Sequence, residues 1–314
     1  MRCLSASSTV YNGRSINTCE KSQGRGKKRV LSSGNGCAPS TQDNSLIKET
    51  ALRPIAQFPQ SVKKRIRYLL TDIDDTLTVT GKLPSIVFSA MEHLQKAGIR
   101  VIPITGRPAG WCDHIARMWH VDGLVGENGA LYFYYRSSEK RMIRRFWKSK
   151  EERRLDREKL DHIRREVLVK VPGCAVASDQ AYREADLAID FCEDVPALPA
   201  SAVNDIKAVF EASGATAKAS SIHVNGWFGN YDKLAMCRLM LKEVFQENLD
   251  DIRDRVVYCG DSPNDAPMFG YFPNSVGVAN VHRFESELEF LPHWVTEGEG
   301  GYGFAEMVAI LLDR

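Results

Sequence analysis

The chain has 314 residues, 43% of them apolar and 26% charged, with a formal net charge of +2. That length allows one large domain or two ordinary ones, with enough apolar residues for a sizeable core. A charge this close to zero gives no global pull towards nucleic acid or a membrane surface, and no run reaches the roughly 18 apolar residues that span a bilayer.

Residues 1–62 differ from the rest. They are rich in Ser, Gly and Asn, carry few acids (Glu20, Asp43, Glu49), and cluster basic residues in "KSQGRGKKR". Low hydrophobicity without periodicity predicts a disordered extension, and the stretch lacks the apolar core of a secretory signal. The same composition suits an organelle transit peptide, or residues translated from a start upstream of the true one. A basic arm for nucleic acid is weakened by the shortness of "RGKKR". The eight cysteines (Cys3, Cys19, Cys37, Cys112, Cys174, Cys192, Cys237, Cys259) form no CxxC pair. They read as free thiols in a reducing compartment rather than a disulfide scaffold or zinc site. The expected compartment is the cytoplasm, or an organelle if residues 1–60 are a transit peptide.

From about Arg65 the pattern becomes regular. "RYLLTD" is a short apolar run suited to a strand buried on both faces. Ser85–Ala97 places Val87, Ala90, Met91 and Leu94 on one helical face, with Gly98 as its stop. Ile99–Thr105 is a second buried strand, and "RPAGWCDHIARMW" follows as a helix with Pro108 near its start. "VDGLVGENGALYFYY" reads as strand, turn, strand. Strands and helices alternating at this spacing predict a parallel sheet with right-handed crossovers.

The rhythm changes after that. Ser149 and Glu152 have the form of a capping box, opening a charged helix with Leu155, Ile163 and Val167 as its apolar stripe. "AVASDQAYREADLAIDF" is strand-like, a helix is expected near Ala200–Ala212, and "ATAKASSIHVNGWF" is strand-like again. Residues 132–221 are therefore predicted to be a small α/β unit inserted between the core segments 63–131 and 222–314. The parallel pattern resumes with the helix "NYDKLAMCRLMLKEVF", which carries Leu234, Met236, Leu239, Met240 and Val244. The strands "RVVYCGD" and Ser275–Val281 follow, and "GGYGFAEMVAILL" closes as a helix.

Four polar clusters fall at strand ends or helix starts: Asp72 with Asp74; Thr105–Gly106–Arg107; Lys233; and Asp261–Ser262–Asn264–Asp265. Ligands of open parallel sheets bind outside the carboxyl ends of the strands, so these four can converge on one pocket. Carboxylates from two strand ends (Asp72, Asp261, with Asp265 nearby) make a hard oxygen site suited to Mg²⁺. A Thr hydroxyl, the amides of a Gly turn and a Lys ammonium are donors that a phosphate requires. Phosphoryl transfer depends on this kind of positioning and charge stabilisation.

"DIDDTLT", "ITGRP", the helix-opening Lys of "NYDKLAM" and "GDSPNDAPMF", in that order, resemble the four motifs of the haloacid dehalogenase (HAD) superfamily. "GENGA" and the late, large insert are similar to its subfamily IIB, with an inserted α/β cap of the C2 type. That branch includes sucrose-phosphate and trehalose-phosphate phosphatases, Cof-type phosphatases and eukaryotic-type phosphomannomutases. The resemblance covers about Arg65 to Leu312. It implies a Rossmann-like core with a cap, and Mg²⁺-dependent hydrolysis of a small phosphate monoester, a sugar phosphate first among them. By match to the motifs, Asp72 is the nucleophile that forms an aspartyl-phosphate, and Asp74 the general acid and base. Thr105, Gly106, Lys233 and Asn264 hold phosphate. Asp72, Asp74 (through its backbone carbonyl), Asp261 and Asp265 form the metal site. Asp75 departs from the Gly found in many relatives; its carboxylate is expected to point away from the metal, in a structural rather than a directly catalytic role. The nearest rival is a phosphomutase of the phosphomannomutase type; a non-catalytic binding protein on the same scaffold is another.

Substrate choice should lie in the cap, where "SDQAYRE" and "HVNGWFGN" offer Arg183, His223 and Asn225 as candidate contacts, with Trp227 expected in the core instead. His114 and His120 are expected to be structural. The basic run "KRMIRRFWKSKEERR" leads into alternating acids, which reads as a solvated salt-bridged face rather than a nucleic-acid patch. The expected partner is thus a small phosphorylated molecule, with neither nucleic acid nor membrane.

Overall fold

The computed structural model describes residues 52–313. Most of the N-terminal extension, with Cys3, Cys19 and Cys37, lies outside the described residues.

In chain order the first elements are β1 (Arg53–Pro54), α1 (Gln60–Lys63), β2 (Tyr68–Thr71), α2 (Ser85–Lys96), β3 (Arg100–Pro103) and α3 (Ala109–Met118). An antiparallel sheet of three strands follows, β4 (Leu124–Gly126), β5 (Leu131–Arg136) and β6 (Arg141–Phe146). Next come α4 (Lys150–Lys170), β7 (Ala175–Val176), β8 (Leu187–Asp190), α5 (Ala200–Ala212), β9 (Thr216–Ala219) and β10 (His223–Trp227). The chain ends with α6 (Lys233–Met240), α7 (Leu249–Ile252), β11 (Val256–Gly260), α8 (Ala266–Tyr271), β12 (Ser275–Gly277), β13 (Trp294–Val295) and α9 (Gly300–Leu312).

The main sheet has the order β1-β13-β12-β11-β2-β3, and every pairing in it is parallel. Both of its faces are covered, as the apolar strands require. Leu69 and Val257 face a core built with Val87, Met91 and Leu94 of α2 and Phe304 and Leu311 of α9. Leu70 and Tyr258 face the opposite core, with Met236 and Met240 of α6 and Phe269 of α8. Side chains alternate along each strand, so one strand feeds both cores. Each fully buried Leu, Met or Phe contributes roughly 1.5–3 kcal/mol.

The cap is a separate layer. Its antiparallel sheet has the order β7-β8-β10-β9, with α4 and α5 packed through Ile163, Val167, Ile206 and Phe210. The capping box forms: Glu152 N–H donates to Ser149 Oγ, and Ser149 N–H donates to Glu152 Oε2.

Several expectations need correction. The fold begins before residue 63, because β1 pairs with β13 and Ile55 and Phe58 are buried in the core. A two-residue edge strand has no periodicity for a sequence to show. The cap extends past residue 221, since His223–Trp227 is the β10 strand between β8 and β9. Leu155 is 44% exposed, and the buried stripe of α4 runs through Asp156, Leu160, Ile163 and Val167. Asp156 is accommodated there by pairing with Lys148 and Lys159. The strand expected over Ser275–Val281 stops at Gly277, and a tight 3-10 segment begins at Ala279. Five cysteines (Cys112, Cys174, Cys192, Cys237 and Cys259) are free. Among the described residues, no helix is long and apolar enough to cross a membrane.

Candidate active site

The carboxyl ends of β2 and β11 lie side by side in the middle of the sheet, and Asp72 N–H extends their pairing by donating to Cys259 C=O. This brings Asp72 beside Asp261, the first residue after β11. Lys233 opens α6, whose N-cap Asp232 accepts from Ala235 N–H. Its ammonium donates to Asp72 Oδ1 at 2.7 Å and Asp265 Oδ1 at 3.1 Å, and reaches Asn264 Oδ1 at 3.5 Å.

Asp72, Asp261 and Asp265 are all buried, and ligand oxygens of the three lie within 4.8 Å of one another. Burial pushes the Asp72 carboxyl up to about 7; Lys233 opposes this and the charges of Asp265 and Asp74 add to it. Burial, followed by Asp265 and Asp72, raises Asp261 well above the usual carboxylate range. Burial works against the Lys233 ammonium, yet Asp265 and Asp72 outweigh it and hold its pKa above the ordinary lysine value. Three buried carboxylates facing one ammonium leave an excess of negative charge, which a divalent cation would offset. The residues present therefore fit a hard metal ion.

The three carboxylates are not equivalent. Asp265 Oδ1 accepts from Lys233 and from the Tyr258 hydroxyl at 2.5 Å, while Oδ2 accepts from the backbone of Asp261 at 3.1 Å and Ser262 at 3.4 Å. Four donors hold it in place. Asp261 has a single side-chain donor, Thr76 Oγ1 at 2.9 Å. Tyr258 was not singled out by sequence, because a Tyr in a buried strand reads as packing. Tyr258→Phe removes one buried hydrogen bond to a charged group and is expected to lower unfolding free energy by about 1.5–3 kcal/mol. Denaturant unfolding of the two proteins checks this.

Asp74 lines the same chamber as Asp72 but is not one of the three clustered carboxylates. Its carboxylate is forked onto Arg107, with Nε at 3.0 Å and NH2 at 2.8 Å from Oδ1. Thr105 is fully buried, and its Oγ1 accepts from Arg107 N–H. Gly106 sits so close to Asn128 that an added Cβ would stand 3.2 Å from its amide. Asp75 adopts a φ of 57°, a left-handed conformation that Asp tolerates better than most residues. Its N–H donates to Thr78 Oγ1 and its C=O accepts from Asn280.

The cap closes the chamber with Arg183, His223 and Asn225. Arg183 is taken up by other partners: both oxygens of Asp179, both oxygens of Asp186, and the Gly106 carbonyl at 2.9 Å. Asn225 donates to Asp186. His223 Nε2 stands 2.9 Å from Glu193 Oε2, but its alignment is too poor for a hydrogen bond, so the nitrogen has no partner. Burial, then the Arg183 charge, lowers the His223 pKa against the pull of Glu193. Trp227 packs internally, stacked on Tyr231 at 5.8 Å. His120 packs edge-on against Phe88, and His114 lines an apolar cavity on the far side of Asp74.

Glu127, in "GENGA", has no exposed surface and ties the cap to the core. Its Oε1 accepts from Ala109 N–H at the start of α3 and from Glu184 N–H; its Oε2 accepts from Ala185 and Asp186 N–H. The sequence signal for Glu127 and Arg107 was proximity to a motif, which does not reveal a partner. The basic run is paired as a solvated face, with Arg144 on Asp113, Arg145 on Glu243 and Arg154 on Glu151 and Glu158.

A family model described as haloacid dehalogenase-like hydrolase matches residues 69–157. None of the curated proteins matches the chain by sequence. Among solved structures, Thermoplasma acidophilum 0175 is 19% identical with a TM-score of 0.59, covering 78% of this chain and 98% of that one. A HAD/COF-like hydrolase from Plasmodium vivax is 18% identical with a TM-score of 0.57, covering 80% and 99%. The sucrose-phosphatase from Synechocystis sp. PCC6803, in complex with sucrose and phosphate, is 13% identical with a TM-score of 0.55, covering 78% and 97%. At these identities the likeness is one of fold, and it includes the inserted cap. The family match covers β2 and the first core motifs, so over that segment the chain is similar to haloacid dehalogenase-like hydrolases.

Proposed function

We propose that the protein is a Mg²⁺-dependent phosphatase acting on a small phosphate monoester, with sugar phosphates as the substrate class. The observation that carries this reading is Asp72: a buried carboxylate at a central strand end, held by Lys233 at 2.7 Å, with Asp261 and Asp265 beside it. The sugar assignment leans on fold relatives, one a sucrose-phosphatase and another a trehalose-6-phosphate phosphatase related protein.

In this reading Asp72 attacks phosphorus, the ester P–O bond breaks, and an aspartyl-phosphate forms. Asp74 gives a proton to the departing oxygen. It then takes a proton from water, which attacks the aspartyl-phosphate and returns Asp72 with inorganic phosphate. Arg107 fixes the orientation of Asp74 for both steps. Lys233 restrains Asp72 and neutralises phosphoryl oxygens, with Thr105, Gly106 and Asn264 as further holders. Asp72, the Asp74 carbonyl and Asp261 would hold Mg²⁺, which supplies charge neutralisation to the phosphate when bound. Asp265, engaged by four donors, braces Lys233. Arg183, with each guanidinium nitrogen already bonded in the cap or to Gly106, fixes cap position, leaving His223 and Asn225 as the cap groups nearer substrate.

The test is phosphate release from a panel of sugar phosphates, with and without Mg²⁺ and EDTA. Inactivity on every ester with Mg²⁺ present would overturn the reading. Proton competition gives a further expected result. Asp72, raised to about 7, is largely protonated at pH 6 and must release that proton to take a cation. The half-saturating Mg²⁺ concentration should therefore fall as pH rises, by up to about tenfold per pH unit for the Asp72 proton, and more steeply where Asp261, also raised, must release its own. Mg²⁺ titrations of activity between pH 5.5 and 8.5 check the slope; a flat profile would contradict it.

A further inference from the structure

The chamber beside Asp72 has a volume of only about 30 Å³. That holds little more than a water-sized group, so most of a bound leaving group must lie outside it. Two larger cavities adjoin the chamber. The first, of about 520 Å³, is mostly apolar, with Trp111, Trp119 and Tyr182 on its walls, and it meets the chamber at Asp74 and Arg107. Arg107 fills that junction, forked onto Asp74 and bonded to Glu193 at 3.2 Å. The second, of about 590 Å³, lies between β9 of the cap and the core segment after β11. It meets the chamber at Ser220, Ser221, Ser262 and Asn264, where the side chains are small and polar.

Lys218 lies in β9 on the wall of the second cavity, and it also lines a small pocket with Lys233 and Asn264. It is half-buried and makes no hydrogen bond or ion pair among the described residues. Burial, then the charge of Lys233, lowers its pKa, and the nearby carboxylates of Asp232 and Asp265 offset this only in part. A partly desolvated ammonium beside a second cation is unfavourable until an anion joins it. Lys207 of α5 faces the same cavity; Arg283 does too, but is paired with Glu299. The acids on this wall are Asp75, Glu287 and Asp261, the last belonging to the carboxylate cluster. Lys218 does not line the chamber at Asp72. Its position suits what is attached to the phosphate, not the phosphate being transferred.

We propose that the cavity along β9 is the leaving-group subsite, and that Lys218 selects esters whose leaving group carries a second anionic group, a carboxylate or another phosphate. This rests on the phosphatase reading and narrows its substrate class. Two matched pairs test it: 6-phosphogluconate against sorbitol 6-phosphate, which differ in a carboxylate, and glucose 1,6-bisphosphate against glucose 6-phosphate. The wild-type protein with Mg²⁺ should favour the more anionic member of at least one pair by about tenfold in kcat/KM, carried mainly by KM, as expected for one charge-assisted contact. The pair that responds identifies the anion. Lys218→Met should bring the ratio within that pair close to one, and Lys218→Arg should retain it. Equal kcat/KM within both pairs, a preference that survives in Lys218→Met, or an equal loss on both members would each overturn the subsite. Absence of phosphate release from all four esters would instead overturn the phosphatase reading, and this inference with it.

Discussion

Replacing Asp72 with Asn is expected to abolish phosphate release while leaving the metal-free protein at least as stable as the wild type. On the proposed reading Asp72 is the nucleophile, and removing an enzyme's nucleophile lowers kcat by roughly 10⁴-fold or more. The stability half of the expectation follows from burial. The folded-state pKa of Asp72 is raised from 3.8 to about 7, first by desolvation and against the pull of Lys233. The folded protein therefore binds a proton there more tightly than the unfolded chain does. Stability linked to this group falls as pH rises from about 4 to about 7 and stays low above that range. Asn carries no charge at any pH, and Lys233 keeps Asp265 as a partner at 3.1 Å. Thermal melts at pH 8 in EDTA should give a Tm for Asp72→Asn no lower than wild type. Mg²⁺ should then raise the wild-type Tm more than that of the variant, because a ligand stabilises only the state that binds it. A variant that melts well below wild type without metal would show that the Lys233–Asp72 pair outweighs the cost of burying the carboxylate.

Glu127→Ala is expected to lower unfolding free energy by about 3–5 kcal/mol, because each buried donor left without an acceptor costs about 1–3 kcal/mol. The four backbone N–H groups of Ala109, Glu184, Ala185 and Asp186 would be left without an acceptor. Three of them belong to the cap and one to the first turn of α3, so the change also loosens the cap from the core. Glu127→Gln keeps one oxygen but turns an NH₂ towards two donors, and should cost about half as much. Urea unfolding measures the loss. Faster proteolytic cleavage near residues 179–186 in Glu127→Ala would report release of the cap. Wild-type protection in that segment, with unchanged stability, would remove Glu127 as the tie.

The motif positions were legible because their signals are local. β2 and β11 are apolar on both faces, and a parallel sheet sends the carboxyl ends of its strands to one edge. An Asp just after such a strand therefore lies near other strand ends by topology alone. The antiparallel pairing of β10 with β8 and β9 was hidden, because "HVNGWF" follows the cap strands with no turn signal to separate it from the core. The register of α4 was misread at Leu155 because the helix carries charges on most faces, and the buried Asp156 breaks the apolar stripe.

Side-chain partners were the least legible feature. Arg183 was a candidate substrate contact, and its buried guanidinium bonds instead to Asp179, Asp186 and Gly106. Arg107 was read only as one member of a polar cluster, and its role of holding Asp74, 33 positions earlier in the chain, was not visible there.

The sequence by itself determined the order of the four motifs, the parallel core and the residue types that crowd its edge, since strand periodicity and strand-end chemistry are properties of short segments. Only the tertiary structure decided which of those groups are already bonded and which remain available. Asp265 and Arg183 are fully engaged, whereas Asp261 has one side-chain donor and Lys218 has no partner among the described residues. The physical reason is that hydrogen-bond satisfaction depends on segments far apart in the chain, such as Asp72 and Lys233 at a separation of 161 residues, meeting in a space too small and too dry for water to replace either one.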